Sequence, residues 1–254
     1  VRARCWAESW SRPRAGAAPS PRRRRDLRRA AEYSILSVDL DGTLVDTAGE
    51  IAEAANRTIE EFGLSRRPVA TISKLIGAGT DELVLGLLRE IAAEPGAPAF
   101  ATDTGAVLRR FAHHYAATAG TACRAYPHAL DAIERLRHAG VRLACVTNKE
   151  ARYSQSVLAA CGMQDMFELL IGGDTLAFKK PDGRVLAHAI AVLGGEAGST
   201  AHVGDSRTDV EAARNAGVAA WAVPYGYNRG EPIESARPDR LFRDLGAVAD
   251  HMLG

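Results

Sequence analysis

From Tyr33 onward the chain alternates short, almost wholly apolar runs with longer stretches whose apolar positions recur every three to four residues. The short runs fall at 35–39, 142–146, 168–171, 201–203 and 219–223. They are aliphatic or β-branched and lack polar alternation, as expected of parallel strands covered on both faces. The longer stretches at 129–139, 151–160, 184–193 and 208–216 read as amphipathic helices, and Gly140, Gly162, Gly194 and Gly217 suit their C-caps. Strand then helix, repeated, predicts an α/β fold with a doubly wound parallel sheet and right-handed crossovers. One interval breaks the rhythm. Between Thr47 and about Arg124 only helical periodicity appears, at 51–62, 81–91 and 105–115. That segment is too long for a crossover and is expected to form a helical cap over the sheet. The expected division is therefore a core of 34–46 and 125–254, a helical cap of 47–124, and an extension of 1–33.

Composition changes this picture mainly at the start of the chain. The 254 residues are 46% hydrophobic and 25% charged, an ordinary soluble balance. No apolar run approaches the ~20 residues of a membrane span, so a cytoplasmic protein without a membrane partner is expected. Cys5, Cys123, Cys145 and Cys161 are scattered with no C-x-x-C pair and read as reduced thiols. The seven histidines show no H-x-x-x-H spacing, which argues against a transition-metal site. The net charge of +1 hides ten arginines in residues 1–33, against Glu8, Asp26 and Glu32, so the remainder is acidic. This head lacks apolar periodicity and is expected to be disordered. The arginines at 22–25 with Trp6 and Trp10 would suit nucleic acid, and an arginine-rich head would also suit targeting. The plainer reading is an extension upstream of the real start, because the chain opens with Val1; nucleic acid is not the expected partner.

The candidate chemistry lies beyond the carboxyl ends of the predicted strands, where open parallel sheets bind ligands. The first strand delivers Asp39 and Asp41, which repel each other unless a cation lies between them or one holds a proton. The second delivers Thr147, Asn148 and Lys149, a later loop Lys179 and Lys180, and the fourth strand Asp205, with Asp209 a turn beyond. Asp39, Asp41 and Asp205 are hard oxygen ligands suited to Mg2+. Thr147, Asn148 and Lys180 would hold the oxygens of a phosphoryl group; between Lys179 and Lys180 only the Lys-Pro pairing favours the second. Asp39 can attack phosphorus, Asp41 can protonate the leaving oxygen and then deprotonate water, and Asp209 can orient Lys180 or support the metal. Each element alone has a duller reading as a turn, a helix cap or a solvated loop. An EF-hand is excluded because Gly42 stands fourth, not sixth, from Asp39. Neither a G-x-x-x-x-G-K-[ST] nor a G-x-S-x-G motif is present.

"DLDGTLVDT", "VTNK", "KKPDG" and "VGDSRTD" resemble, in order, the four signature motifs of the haloacid dehalogenase superfamily. The resemblance spans Ser34 to the C-terminus. It implies a Rossmann-like core with a helical cap, and Mg2+-dependent phosphoryl transfer with Asp39 as nucleophile and Asp41 as acid and base. It also implies a metal held by the Asp39 side chain, the Asp41 backbone carbonyl and Asp205, with phosphate on Thr147 and Lys180. The second aspartate argues against the dehalogenase branch. "IGAGTDELV", "RAYPHALDAIERLRHAGVRLACVTNK" and "VPYGYNRGEPIESARPD" are most similar to the bacterial phosphoglycolate phosphatases. Gly183 and His128 depart from that pattern, where a proline and a glycine are common. The expected function is hydrolysis of a small phosphorylated metabolite, 2-phosphoglycolate first, with a sugar-phosphate mutase or a phosphatase for another sugar phosphate as the alternatives.

Overall fold

The computed structural model describes residues 32–95 and 103–254; the arginine-rich head expected to be disordered lies, up to residue 31, outside the described residues. The core strands are β1 (Ile35–Val38), β4 (Arg142–Val146), β5 (Leu169–Ile171), β6 (Thr200–Gly204), β7 (Ala219–Ala222) and β8 (Arg240–Leu241). They form one parallel sheet in the order β5-β4-β1-β6-β7-β8. The helices α5 (Ala129–His138), α6 (Ala151–Ala160), α7 (Arg184–Leu193), α8 (Arg207–Ala216) and α9 (Leu245–Leu253) cover its two faces. This is the α/β doubly wound parallel sheet expected from the apolar runs, and the Rossmann-like core that the resemblance implies.

Both faces of each central strand are buried, which explains the missing alternation. Leu36, Val38, Leu143, Cys145, Val203 and Trp221 pack on one face with α5, α6 and α9. Ile35, Ala144, Val146, Ala220 and Ala222 pack on the other with α7 and α8. The chain leaves β1 toward β4 and leaves β6 toward β7, in opposite directions across the sheet, so a crevice opens between the ends of β1 and β6. Asp39 extends β1 by donating its N–H to the Val203 carbonyl at 3.0 Å, which fixes it beside the end of β6.

The segment between the first and second core strands is helical. It contains α1 (Ala48–Glu61), α2 (Val69–Ser73), α3 (Thr80–Ala92) and α4 (Thr104–Thr118). Their apolar stripes meet each other in a separate cluster that includes Ile51, Ile59, Leu87, Val107, Phe111 and Tyr115. A short antiparallel ribbon of β2 (Val45–Asp46) and β3 (Arg124–Ala125) joins this layer to the sheet, pairing Val45 with Ala125. Two-residue strands carry no readable periodicity, so the ribbon and the exposed edge strand β8 have no counterpart among the predicted elements. Helix α9 was also unpredicted, although Asp244 caps it by accepting from the Ala247 N–H at 2.8 Å. Among the described residues no helix is long and apolar enough to cross a membrane.

Candidate active site

The rim above β1, β4 and β6 gathers the polar residues singled out along the chain. Lys180 is buried and its Nζ lies 2.7 Å from Asp39 Oδ1 and 2.6 Å from Asp209 Oδ1. Asp209 sits on the first turn of α8 and completes a capping box, accepting from the Ser206 N–H at 3.1 Å and the Ser206 hydroxyl at 2.5 Å. Helix capping and Lys180 orientation, two separate readings of Asp209, are therefore both present in one carboxylate. Asp205 accepts the Tyr227 N–H at 2.5 Å and is enclosed by glycines. A methyl at Gly42, whose φ is +84°, or at Gly226 would overlap its carboxylate.

The charges of this cluster do not balance. Asp39, Asp205 and Asp209 are all buried, and an oxygen from each lies within 4.8 Å of the others. Burial, opposed by Lys180 and reinforced by Asp209 and Asp41, pushes the Asp39 carboxyl up to about 7. Burial, with Asp209 and Asp39 alongside, raises the Asp205 carboxyl well above its usual range. Against the burial that would raise it, Lys180 and the His202 hydrogen bond hold Asp209 far below the usual range. Burial lowers His202, keeping the imidazole neutral. Three carboxylates thus face one ammonium, an excess that a divalent cation would match. All the donors are carboxylate oxygens gathered within 4.8 Å of one another, the hard-ligand chemistry that a divalent magnesium-like ion takes. The residues fit a magnesium-like ion.

Asp41 stands apart from that cluster. Its Oδ1 is 2.5 Å from Lys149 Nζ and accepts the Thr47 hydroxyl at 2.6 Å. The Lys149 ammonium also lies 5.3 Å from the centre of the Tyr115 ring, within cation–π range. The Asp41 carboxylate is therefore turned toward the helical layer.

Thr147 lines the cavity beside Asp39 and Asp41, facing Ile51, Ile76, Gly79 and Leu83 of the helical layer. The cavity has a volume of about 30 Å3, room for a water or two. Asn148, expected on phosphate, has its amide donors engaged elsewhere: Nδ2 donates to the Gly77 carbonyl at 3.1 Å and the Lys180 carbonyl at 2.9 Å. Lys179 donates to the Ala78 carbonyl at 2.9 Å, and Thr80 donates to Glu150 at 2.5 Å. Three core side chains thus hold residues 77–80 over the rim.

Two site residues were missed in the sequence. Lys149 was quoted but given no part, because a lysine in a loop reads as solvated. His202 lies within β6, bridging Ser37 Oγ at 2.9 Å and Asp209 Oδ1 at 3.2 Å. The signal available was a histidine in an otherwise apolar strand, three residues before Asp205.

The haloacid dehalogenase-like hydrolase family profile matches residues 38–223. The phosphoglycolate phosphatase of Thiobacillus denitrificans is 36% identical over 84% of this chain and 92% of its own length. The plasmid phosphoglycolate phosphatase of Cupriavidus necator is 41% identical over 83% and 89% respectively. The crystal structure of a predicted phosphoglycolate phosphatase from Haemophilus somnus superposes with a TM-score of 0.79 at 28% identity, covering 86% of this chain and 97% of that one. A parallel sheet with its acidic cluster at the β1 and β6 ends, together with the profile match and these relatives, makes this chain a hydrolase of the haloacid dehalogenase-like family.

Proposed function

We propose that this enzyme is a phosphatase that hydrolyses 2-phosphoglycolate through an aspartyl-phosphate on Asp39. The observation that carries the reading is the buried cluster of Asp39, Asp205 and Asp209, with Lys180 bridging Asp39 and Asp209 and Asp39 lining the cavity. A Mg2+ ion held by the Asp39 and Asp205 carboxylates and the Asp41 backbone carbonyl would neutralise the cluster and attract a phosphate oxygen.

The protein's own groups account for the rest. Lys180 and Thr147 hold the charge of the transferring phosphoryl group, which little else in the reaction stabilises. A carboxylate oxygen of Asp39 forms a bond to phosphorus as the bond to the glycolate oxygen breaks. Asp41 gives that oxygen its proton, then takes one from the water that attacks the phosphoryl on Asp39. Inorganic phosphate leaves and Asp39 is regenerated. Asp209 and His202 keep Lys180 in place from below, while Asn148 and Lys179 hold the 77–80 loop. The helical segment of 47–124 acts as the cap. The cavity lies between the cap, through Ile51, Ile76, Gly79 and Leu83, and the core, through Asp39, Asp41 and Thr147, so in this reading the cap opens to admit substrate and closes over it.

The test is phosphate release with Mg2+ from 2-phosphoglycolate, hexose phosphates and nucleoside monophosphates. A kcat/KM for 2-phosphoglycolate well above the others is expected. Equal, weak release from all would overturn the substrate, and an isomerised sugar phosphate without free phosphate would overturn hydrolysis.

A further inference from the structure

Two thiols that the mechanism does not use meet where the chain returns from the helical layer to the sheet. Cys123 immediately precedes β3, and Cys161 caps the C-terminus of α6. Their sulfurs are 3.7 Å apart although the residues are 38 positions apart in sequence. Both are free and half-buried, whereas Cys145 is sealed within the sheet. A disulfide needs its sulfurs near 2.05 Å, so the pair, already in van der Waals contact, has to close by about 1.7 Å.

The surroundings give such a bond a mechanical consequence. Ahead of Cys123, the N–H groups of Gly120 and Ala122 donate to Glu50 of α1 at 2.9 and 3.4 Å. The same stretch lies against α6, since a Cβ on Gly120 would stand 2.9 Å from the Ser156 carbonyl. Residues 120–123 thus touch the helical layer on one side and a core helix on the other, beside the ribbon through which the layer is connected.

We propose that Cys123 and Cys161 form a redox-modification site, whose disulfide bolts the return segment of the helical layer to core helix α6 and slows turnover. The oxidant is a low-molecular-weight disulfide. One cysteine thiolate attacks it and releases one small thiolate, leaving a mixed disulfide. The second cysteine thiolate then attacks the protein sulfur of that bond and releases the other small thiolate. The two protons lost by the cysteines are taken up by the two small thiolates, so the small disulfide is reduced as the pair is oxidised. Burial pushes the Cys123 thiol up to about 12 and raises that of Cys161, so thiolate is scarce and the exchange is slow near neutrality. The effect on turnover rests on the proposed phosphatase reading, in which the cap has to move.

The full chain is incubated with glutathione disulfide in mild alkali, alkylated, digested without reductant and analysed by mass spectrometry. A cross-linked peptide joining Cys123 and Cys161 is expected. So is a rise in Tm of about 10 °C, as chain entropy implies for a loop of this length. Phosphate release should fall several-fold, with all three changes reversed by dithiothreitol. Cys123→Ser and Cys161→Ser should keep the reduced protein's turnover and lose every response to oxidant. Alkylation of both cysteines, or a stable glutathione adduct on either, would overturn the site. A quantitative cross-link with unchanged turnover would overturn its effect on the cap. If the reduced protein releases no phosphate, the phosphatase reading fails, while the peptide and Tm readouts still decide the disulfide.

Discussion

Replacing Lys180 with methionine removes the central ammonium while keeping most of the stem's volume. The Lys180 side chain is 2% exposed and pairs with both Asp39 and Asp209 at 2.6–2.7 Å. Taking one partner from a buried ion pair costs about 3–5 kcal/mol, because the other charge is left uncompensated. Here the two orphaned carboxylates can relieve part of that cost by binding protons. The sign follows from linkage. A carboxyl raised in the folded state binds protons that the unfolded chain has released. Stability therefore falls as pH rises from the unfolded value through the folded one. Asp39 already stands at about 7, and loss of Lys180 raises it further. The deficit of Lys180→Met should therefore be at least about 3 kcal/mol near pH 8, and shrink toward about pH 5.5 as the orphaned carboxyls take up protons. Urea unfolding followed by circular dichroism, with EDTA present and at several pH values, measures it. Adding Asp209→Asn to the variant should restore part of the loss at the higher pH. A deficit below about 1 kcal/mol, or one that does not change with pH, would refute the buried-pair reasoning.

Other perturbations separate the roles of neighbouring residues. Gly42→Ala forces a side chain into a backbone with φ of +84° and against the Asp205 carboxylate; it should cost at least about 1–2 kcal/mol and abolish phosphate release, as thermal unfolding and an activity assay would show. His128 adopts a left-handed φ of 66° at the start of α5, so His128→Gly should relieve strain and raise Tm by about 2–4 °C, measured by calorimetry. Lys179→Ala should raise KM several-fold with kcat nearly intact, because Lys179 holds the Ala78 carbonyl and not the reacting cluster. Lys180→Met should instead lose turnover.

The sheet could be read in the sequence because burial on both faces turns its strands into unbroken apolar runs, as in "RLACV" of β4. Asp39, Thr147, Lys180 and Asp205 could be grouped because each follows a strand or lies in a loop at the same edge. What the sequence withheld was the direction of side chains. The carboxylate of Asp41 pairs with Lys149 and Thr47 while that of Asp39 pairs with Lys180, although the two aspartates are one residue apart. Asn148 spends its amide on the carbonyls of Gly77 and Lys180. His202 has no spacing motif because its partners, Ser37 and Asp209, come from β1 and α8. The ribbon of β2 and β3 is too short to show periodicity. Cys123 and Cys161 meet only because the return segment folds back along α6. Asp209 was the most legible of the ambiguous residues, because Ser206 three positions before it already spells a capping box.

The central claim is that Asp39 becomes covalently phosphorylated. Its direct test is rapid mixing of the Mg2+-loaded enzyme with 2-phosphoglycolate, acid quenching within the first turnover, and mass spectrometry of the peptide that carries Asp39. The account predicts a phosphoryl adduct on Asp39 that forms and decays at rates compatible with kcat, and that is absent from Asp39→Asn. Complete first-turnover phosphate release with no adduct on Asp39 at any quench time would contradict it.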